Sequence, residues 1–407
     1  MRILFVHQNF PGQYKHLAPA LAARGHEVRA LAINRHPAPP GVQLAYYRVG
    51  RGTTKGVHRW AAETETKVLR GEACAQAALE LRAGGFVPDV ICAHPGWGEA
   101  LFLREVWPQA RQLHFVEFYY SSEGADVGFD PEFGAADFDN RCRVRMKNAN
   151  SLLNLDCMDK GVSPTAWQKS TVPAIYQPRI AVIHDGIDTR MACPDAGAEF
   201  EWSDADGKRR TCRAGDEVVT FVNRNLEPNR GYHSFMRSLP DLLARRPGAE
   251  VLIVGGDGVS YGAKPAEGTY KQRYLEEVAA RIDTRRVHFL GRIPYPSYLR
   301  LLQVSAAHVY LTYPFVLSWS MLEAMSAGCV VIGSRTPPVE EVIRHGENGL
   351  LVDFFSAAEI ADAVAGVLEQ RSAMSVLRQA ARESILDTYD LVGKCLPAHV
   401  GLVESLG

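Results

Sequence analysis

Short runs of β-branched and aliphatic residues alternate along the chain with segments whose apolar residues recur every three or four positions. The first pattern is typical of buried strands and the second of amphipathic helices. Tyr14–Arg24 is one such helix, with Leu17 and Leu21 on one face and Gly25 as its stop. A strand, a short loop, a helix and a further strand form a βαβ unit, so the repetition predicts parallel sheets covered by helices.

The strand pattern occurs in both halves of the chain. The predicted strands are Ile3–Val6, Val28–Ala32, Val90–Ala93, Leu113–Phe118, Ser151–Asn154, Ile180–Ile183, Val218–Val222, Val251–Val254, Val287–Leu290, Val309–Leu311, Val330–Ile332 and Leu350–Val352. Two such groups predict an α/β protein with two Rossmann-like, doubly wound parallel-sheet domains. Ligands of these sheets bind at the carboxyl ends of the strands, so we expect the site in an interdomain cleft.

At 407 residues, the chain is longer than one hydrophobic core ordinarily supports, which also favours two domains. The polar, turn-rich segment 191–216 predicts a linker or hairpin. We therefore expect a first Rossmann-like domain over 1–190 and a second over 217–373. Residues 374–407 form a predicted helical segment, for which a crossing back to the first domain stays open.

Charge and cysteine usage exclude several classes of function. The formal net charge is −1, whereas broad nucleic-acid binding needs a basic surplus. None of the eight cysteines forms a Cys-x-x-Cys pair, so we expect buried thiols in a reducing compartment. The chain lacks a signal-peptide pattern and any run of the ~20 apolar residues that span a membrane. We expect a cytoplasmic protein; peripheral membrane contact and oligomeric state stay open.

Three loops that follow predicted strands carry residues suited to an anionic ligand. Gly12 precedes a helix and allows backbone N–H groups to approach an anion, although a tight turn explains it equally. Arg224 and Arg230 flank a turn and offer guanidinium forks to a diphosphate, or they are solvated surface residues. Gly256 and its neighbouring glycines permit close backbone approach or merely shape a loop.

A fourth loop precedes a helix that begins near Trp319. Ser318 is a candidate cap, and the free N–H groups of 318–320 are candidates to hold phosphate. Glu323 follows one turn later in an apolar helix, where its carboxylate needs either ribose hydroxyls or a paired arginine. His94 lies after a first-half strand, beside two glycines and a tryptophan. It either bonds a sugar hydroxyl or is a packed histidine.

In this order and spacing, the segments resemble family 4 of the retaining glycosyltransferases, which share the GT-B fold. The resemblance extends from Arg2 to about Val367 and is strongest in the second half. The segments that carry it are Gly25-His26-Glu27-Val28, Ile183-His184-Asp185-Gly186-Ile187-Asp188-Thr189, Arg224 with Arg230-Gly231, Val287-His288-Phe289-Leu290-Gly291, Leu322-Glu323-Ala324-Met325-Ser326-Ala327-Gly328 and Asn348-Gly349.

The resemblance implies transfer of a hexosyl group from a nucleoside-diphosphate sugar to an acceptor hydroxyl, with retained anomeric configuration. It implies a first domain for the acceptor and a second for the donor, with UDP favoured over GDP and no cofactor. Arg224 and Arg230 would hold the diphosphate, Glu323 the ribose, and His94 would lie near the transferred sugar. His94 and the two arginines are the candidate catalytic residues. The other donor-site residues are Gly12, Gly256, Arg292, Leu317, Ser318, Trp319 and Ser320.

Two further features bear on the site. Relatives usually carry two glutamates separated by seven residues; the second is Glu323, and the first position holds Phe315. No metal is expected, because Asp204-Ala205-Asp206 lies in the polar linker rather than in a suitable loop. An aromatic and acidic segment after the 113–118 strand is either an acceptor loop or a plain surface loop. The candidate acceptor residues are Gln13, Trp97, Tyr119, Tyr120 and Glu123.

Two alternatives to a transferase stay open at this point. A nucleotide-sugar epimerase of the same architecture would convert the donor with no acceptor present. A non-catalytic nucleotide-sugar binder would bind the donor and never consume it. Nicotinamide oxidoreduction is disfavoured, because no Gly-x-Gly-x-x-Gly follows the first strand of either half.

Overall fold

The computed structural model describes residues 1–134 and 136–407. Its chain divides into two compact units: Met1–Gly186 with Val392–Gly407, and Ile187–Leu391. The predicted linker segment 191–216 therefore lies inside the second unit. The predicted C-terminal segment is divided, because the first unit takes only its last sixteen residues.

The first unit is built on a seven-stranded parallel sheet of order β3-β2-β1-β4-β5-β6-β7, the doubly wound arrangement. The strands are Arg2–Val6 (β1), Glu27–Ala32 (β2), Val42–Tyr46 (β3), Val90–Ala93 (β4), Arg111–Phe115 (β5), Lys160–Ser163 (β6) and Ile180–Val182 (β7). The helices are Leu17–Ala23 (α1), Ala62–Ala83 (α2), Leu103–Val106 (α3), Phe138–Cys157 (α4) and Ala166–Ser170 (α5).

The second unit holds an antiparallel hairpin, β8-β9, and a six-stranded parallel sheet of order β12-β11-β10-β13-β14-β15. The strands are Glu199–Ser203 (β8), Arg209–Arg213 (β9), Val218–Asn225 (β10), Glu250–Gly256 (β11), Val287–Gly291 (β12), Ala307–Tyr310 (β13), Val330–Ser334 (β14) and Leu350–Val352 (β15). The helices are Tyr232–Arg245 (α6), Tyr270–Val278 (α7), Tyr295–Val304 (α8), Trp319–Ser326 (α9), Pro337–Glu340 (α10), Ala357–Glu369 (α11) and Ser375–Thr388 (α12).

A last helix, Leu396–Glu404 (α13), belongs to the first unit. Glu404 near its end accepts hydrogen bonds from Arg24 Nε at 2.7 Å and from His26 Nε2 at 3.0 Å. Val403 is fully buried in the core that β1 and α1 form. The end of the chain is therefore a structural part of the first unit. Among the described helices, none is long and apolar enough to cross a membrane.

Every predicted strand except one overlaps an observed strand. The exception, Ser151–Asn154, is wrong, because these residues lie in α4. Asp137 caps α4 by accepting the N–H of Asn140 at 2.7 Å. Asn150 and Asn154 lie one turn apart and are both buried, so polar residues occupy part of the inward face of α4. The apolar repeat of three or four residues that indicates a helix is therefore missing from this part of the sequence.

The short strands β3 and β6 have no counterpart among the predicted strands. The first predicted helix forms in two pieces, a 3₁₀ turn at Gly12–Tyr14 followed by α1. Gly25 does end it: its φ is 87°, and its N–H donates to the carbonyl of Ala22 at 3.0 Å. A backbone of this hand favours glycine, so the predicted stop is confirmed.

We expect Phe235→Ala to destabilise the second unit by about 3–5 kcal/mol, because a buried aromatic ring is replaced by a cavity. Phe235 is fully buried and stacks on Phe221 with 4.5 Å between ring centroids. Denaturant unfolding measures the change in the free energy of unfolding. The control is Val376→Ala on α12, where the side chain is 74% exposed and the effect should be small. Equal effects of the two changes would contradict this packing.

Candidate active site

The turn between β10 and α6 places Arg230 inside the second unit. Pro228–Arg230 form a 3₁₀ turn, and Gly231 follows with φ at 69°. A Cβ atom at position 231 would lie 2.2 Å from the Cβ of Leu311. Glycine is therefore required both by the left-handed backbone and by the close packing.

Arg230 is only 7% exposed, and neutral oxygens hold its guanidinium group. Its Nη1 donates to the hydroxyl of Thr312 at 2.8 Å and to the carbonyl of Val316 at 3.0 Å. The rings of Tyr261 and Phe315 lie 5.2 and 5.8 Å from its Cζ. Arg230 makes no ion pair with any described residue. The carboxyl of Glu227 interacts with it electrostatically without forming an ion pair. A buried cation without an ion-pair partner is costly, so this arrangement favours a bound anion.

Glu227 connects this turn to the loop after β11. Its Oε2 accepts the N–H groups of Ser260 at 2.8 Å and of Tyr261 at 2.9 Å. Burial raises the pKa of the Glu227 carboxyl above its usual range, although these two backbone bonds oppose the shift. Because it holds the backbone of Tyr261, Glu227 fixes one of the rings that flank Arg230.

The other diphosphate candidate, Arg224, is exposed and makes no hydrogen bond or ion pair with any described residue. Gly256 ends β11, and its carbonyl accepts the N–H of Leu226 at 2.9 Å. The Nη2 of Arg292 donates to the side-chain oxygen of Asn225 at 3.1 Å. Gly256 and Arg292 thus border the end of β10, where Arg224 lies in solvent and the turn that follows carries the buried Arg230.

The N-terminus of α9 differs from its prediction. Ser318 caps the helix, as expected, and its Oγ accepts the N–H of Ser320 at 3.4 Å. However, the N–H of Ser318 donates to the phenol oxygen of Tyr310 at 2.8 Å, because that buried hydroxyl needs a partner. Two of the three N–H groups predicted to be free for phosphate are therefore bonded within the protein. Leu317 is buried, and Trp319 packs against the core of the second unit.

Glu323 lies one turn into α9, and two tyrosines of α8 bind its carboxylate. The hydroxyl of Tyr295 donates to Oε1 at 2.7 Å, and that of Tyr298 donates to Oε2 at 2.9 Å. Glu323 makes no ion pair with any described residue. The alternative of a paired arginine is therefore wrong; phenol donors take that place.

In the first unit, His7 and Gln13 meet just after β1. The Nδ1 of His7 accepts the N–H of Asn9 at 2.9 Å, so the ring proton is on Nε2. This Nε2 donates to Gln13 Oε1 at 2.8 Å. Gly12, on the same loop, packs directly on His7, since a Cβ there would lie 2.5 Å from the ring. The loop is built around a neutral, buried histidine.

His94 lies beside this loop, at the end of β4. Its Nδ1 accepts the N–H of Gly96 at 3.2 Å, which leaves Nε2 to carry the proton. The ring stacks on Trp97 with 4.2 Å between centroids and meets His7 edge-on at 5.4 Å. His94, Gln13 and Trp97 are thus brought together around His7.

Glu117, two residues past β5, joins this group although no sequence argument selected it. Its Oε2 lies 3.5 Å from His94 Nε2, and its Oε1 lies 3.5 Å from Gln13 Nε2. The side chain is 34% exposed, so a ligand can reach the carboxylate. The predicted strand 113–118 ran through Glu117. Ending that strand at Phe115, as the structure does, would have placed a carboxylate at the carboxyl end of a parallel strand.

The remaining acceptor candidates lie in different surroundings. The N–H of Tyr119 donates to Thr171 Oγ1 at 3.2 Å. The backbone of Tyr120 exchanges two bonds with the side chain of Asn148 on α4, at 3.1 and 2.7 Å. Glu123 is exposed in the loop that follows. The structure therefore holds the two tyrosines against helices and leaves Glu123 in solvent.

Two doubly wound units, each with polar residues at the carboxyl ends of its strands, are the architecture of GT-B glycosyltransferases. Residues 24–192 match the glycosyl transferase family 4 group, and residues 205–384 match the glycosyl transferases group 1. The chain belongs to this family of glycosyltransferases, so the fold class and the resemblance predicted from the sequence are confirmed.

Individual relatives agree with this assignment. The chain is similar to a glycogen synthase of Mycobacterium tuberculosis, with 24% identity over 96% of this chain and 91% of the relative. It is also similar to a GDP-mannose-dependent alpha-(1-6)-phosphatidylinositol monomannoside mannosyltransferase of that organism, with 28% identity over 70% and 69%. The solved structure of sucrose-phosphate synthase from Thermosynechococcus elongatus shares the fold, with a TM-score of 0.72, 17% identity and coverage of 100% and 98%.

The neutral state of His7 predicts a pH dependence of stability. Burial, and next the nearby His94, lower the pKa of His7 from 6.5 to about 3. Between these values the unfolded chain binds a proton that the folded chain does not, so the free energy of unfolding falls as pH falls. We expect His7→Gln to reduce this fall by up to about 1.4 kcal/mol per pH unit.

Denaturant unfolding of the first unit at pH 6.5, 5.8 and 5 measures this slope. The exposed His58→Gln, which is not among the groups that shift the pKa of His7, serves as the control and should keep the wild-type slope. An unchanged slope in His7→Gln would mean that His7 is already protonated in the folded protein.

Proposed function

We propose that this glycosyltransferase moves a hexosyl group from a nucleoside-diphosphate sugar to an acceptor hydroxyl, with retained anomeric configuration and without a metal. The observation that carries the proposal is Arg230, a buried cation that neutral oxygens hold and aromatic rings flank. The carboxyl of Glu227 interacts with it electrostatically, but Arg230 makes no ion pair with a described residue. A diphosphate supplies the missing negative charge and accepts from the remaining guanidinium donors. Family membership supports the reaction class, and the buried charge of Arg230 supports an anionic ligand.

The second unit provides the donor side of the reaction in this proposal. Departure of the nucleoside diphosphate builds negative charge on phosphate oxygens, which Arg230 and the exposed Arg224 stabilise. Groups aimed at such developing charge typically contribute ~10²–10³-fold each to the rate. Glu323 accepts hydrogen bonds from the ribose hydroxyls, and Gly256 and Arg292 border the same loop.

The first unit provides the acceptor side. The Nε2–H of His94 is directed to a sugar oxygen or to Glu117, because Nδ1 is occupied by Gly96. Gln13 and Trp97 complete this group. Attack takes place on the same face as departure, and the leaving phosphate receives the proton of the acceptor hydroxyl. No protein nucleophile is required by this course.

We propose that the donor nucleotide is UDP. GDP is the alternative, and the test compares the two. The mannosyltransferase relative is GDP-mannose-dependent by its name, so both bases belong in the same panel. Thermal shift with UDP, GDP and ADP compares them directly. A nucleotide at 100 times its Kd should add roughly 2.7 kcal/mol of stability.

We expect Arg224→Ala to weaken binding of the preferred nucleoside diphosphate by about tenfold or more, because one charge-assisted contact is lost. The side chain of Arg224 is exposed and makes no hydrogen bond or ion pair with a described residue, so its removal should leave the fold unchanged. Calorimetric titration gives Kd for the wild type and the variant. The control is Arg209→Ala on β9, an exposed arginine paired with Glu201. Equal affinity of Arg224→Ala and the wild type would remove Arg224 from the diphosphate site.

We expect slow hydrolysis of UDP-glucose by the protein to release α-glucose first, since the donor is the α-anomer and the reaction retains it. Proton NMR before mutarotation distinguishes the anomers, and the rate should be the same with EDTA present. Early β-glucose would contradict retention. Conversion to another UDP-sugar would identify an epimerase, and binding without any consumption, with or without acceptor sugars, would identify a binder.

A further inference from the structure

Two tyrosines hold the carboxylate of Glu323 in one orientation. The phenol of Tyr295 binds one oxygen and that of Tyr298 binds the other, at 2.7 and 2.9 Å. With one donor on each oxygen, the carboxyl group cannot rotate about its last bond without breaking both contacts. Glu323 is otherwise without a charged partner among the described residues.

The two tyrosines can act together because they lie three residues apart on α8, which places both rings on the same face. Their ring centroids are 5.8 Å apart. Tyr298 is 8% exposed, whereas Tyr295 is 42% exposed. Burial, and next the charge of Glu323, raise the pKa of the Tyr298 hydroxyl, so it is a permanent donor. The buried tyrosine therefore anchors one carboxylate oxygen of Glu323, and the more exposed tyrosine holds the other.

Each carboxylate oxygen has about two acceptor positions, and a phenol occupies one of them on each oxygen. One acceptor position on each oxygen is therefore left over. Two neighbouring hydroxyls of a ribose match this pair of acceptors, since each hydroxyl supplies one donor. A 2′-deoxyribose supplies one donor fewer.

We infer that Tyr298 is a positioning residue for recognition of the ribose diol, acting through Glu323. This inference rests on the proposed function, because it assumes that a nucleoside diphosphate binds the second unit. It adds a residue to that function: the preference for an intact vicinal diol over a 2′-deoxy sugar, which follows from Glu323, depends on a tyrosine that does not itself contact the ligand.

The test is the ratio of Kd values for 2′-deoxy-UDP and UDP, measured by calorimetric titration, with the deoxy-GDP and GDP pair in parallel. We expect Tyr298→Phe to reduce the wild-type ratio roughly tenfold, the usual order for a hydrogen bond to a charged group. The Kd for 2′-deoxy-UDP should rise less than that for UDP, because only its 3′-hydroxyl is left to contact Glu323. Glu323→Gln should reduce the ratio at least as much.

The matched control is Tyr270→Phe on α7, which removes another buried phenol of the same unit, one that donates to the carbonyl of Ala263 at 2.9 Å. It should leave the ratio unchanged. If Tyr298→Phe weakens both nucleotides equally, or neither, its role is only structural and the inference is overturned. If the wild type binds none of the four nucleotides, the proposed function itself fails.

Discussion

Parallel strand pairing determines where chemistry can lie in both units. All strands of each large sheet run in one direction, so the segments that follow them emerge at one edge. His7 and His94 follow adjacent strands in the first sheet, and Arg224 and Gly256 end or follow adjacent strands in the second. These residues are neighbours because β1 pairs with β4 and β10 pairs with β11. The buried strands require side chains that are apolar, and little more. The residues that bind or react are therefore expected in the loops at that edge.

Phe315 bears on how the charge of Arg230 is compensated. The family resemblance places a glutamate at this position, and a carboxylate so near the guanidinium would be a candidate ion-pair partner for Arg230. Phe315 instead offers a ring face 5.8 Å from Cζ and packs edge-on against Tyr261, with 4.8 Å between centroids. Aromatic faces attract a cation only weakly compared with a carboxylate. Phe315 therefore leaves Arg230 without an ion-pair partner at this position, which in the proposed function leaves its charge available to the diphosphate.

The fold was predictable because aliphatic runs identify buried parallel strands, and the failures have equally local causes. Ser151–Asn154 was assigned to a strand because asparagines, rather than aliphatic residues, occupy buried positions of α4. Glu117 was missed because the predicted strand extended past its true end at Phe115. The tyrosines on Glu323 could not be found from sequence at all. They precede it by 28 and 25 residues, and only the packing of α8 brings them to it.

The two candidate sites share one feature, in which a neutral group fixes the orientation of a candidate binding side chain. In the first unit, the Nδ1 of His7 accepts a backbone N–H, so its Nε2–H must donate to Gln13 Oε1. The amide of Gln13 is then oriented with its NH₂ toward Glu117. In the second unit, phenols hold Glu323, and a hydroxyl and a carbonyl hold Arg230. Neutral partners orient a charged side chain without cancelling its charge, and such prearranged dipoles need little reorganisation during the reaction. An ion pair to Glu323 or Arg230 would hold the side chain equally rigidly. It would also neutralise the charge that the proposed function assigns to binding the nucleotide.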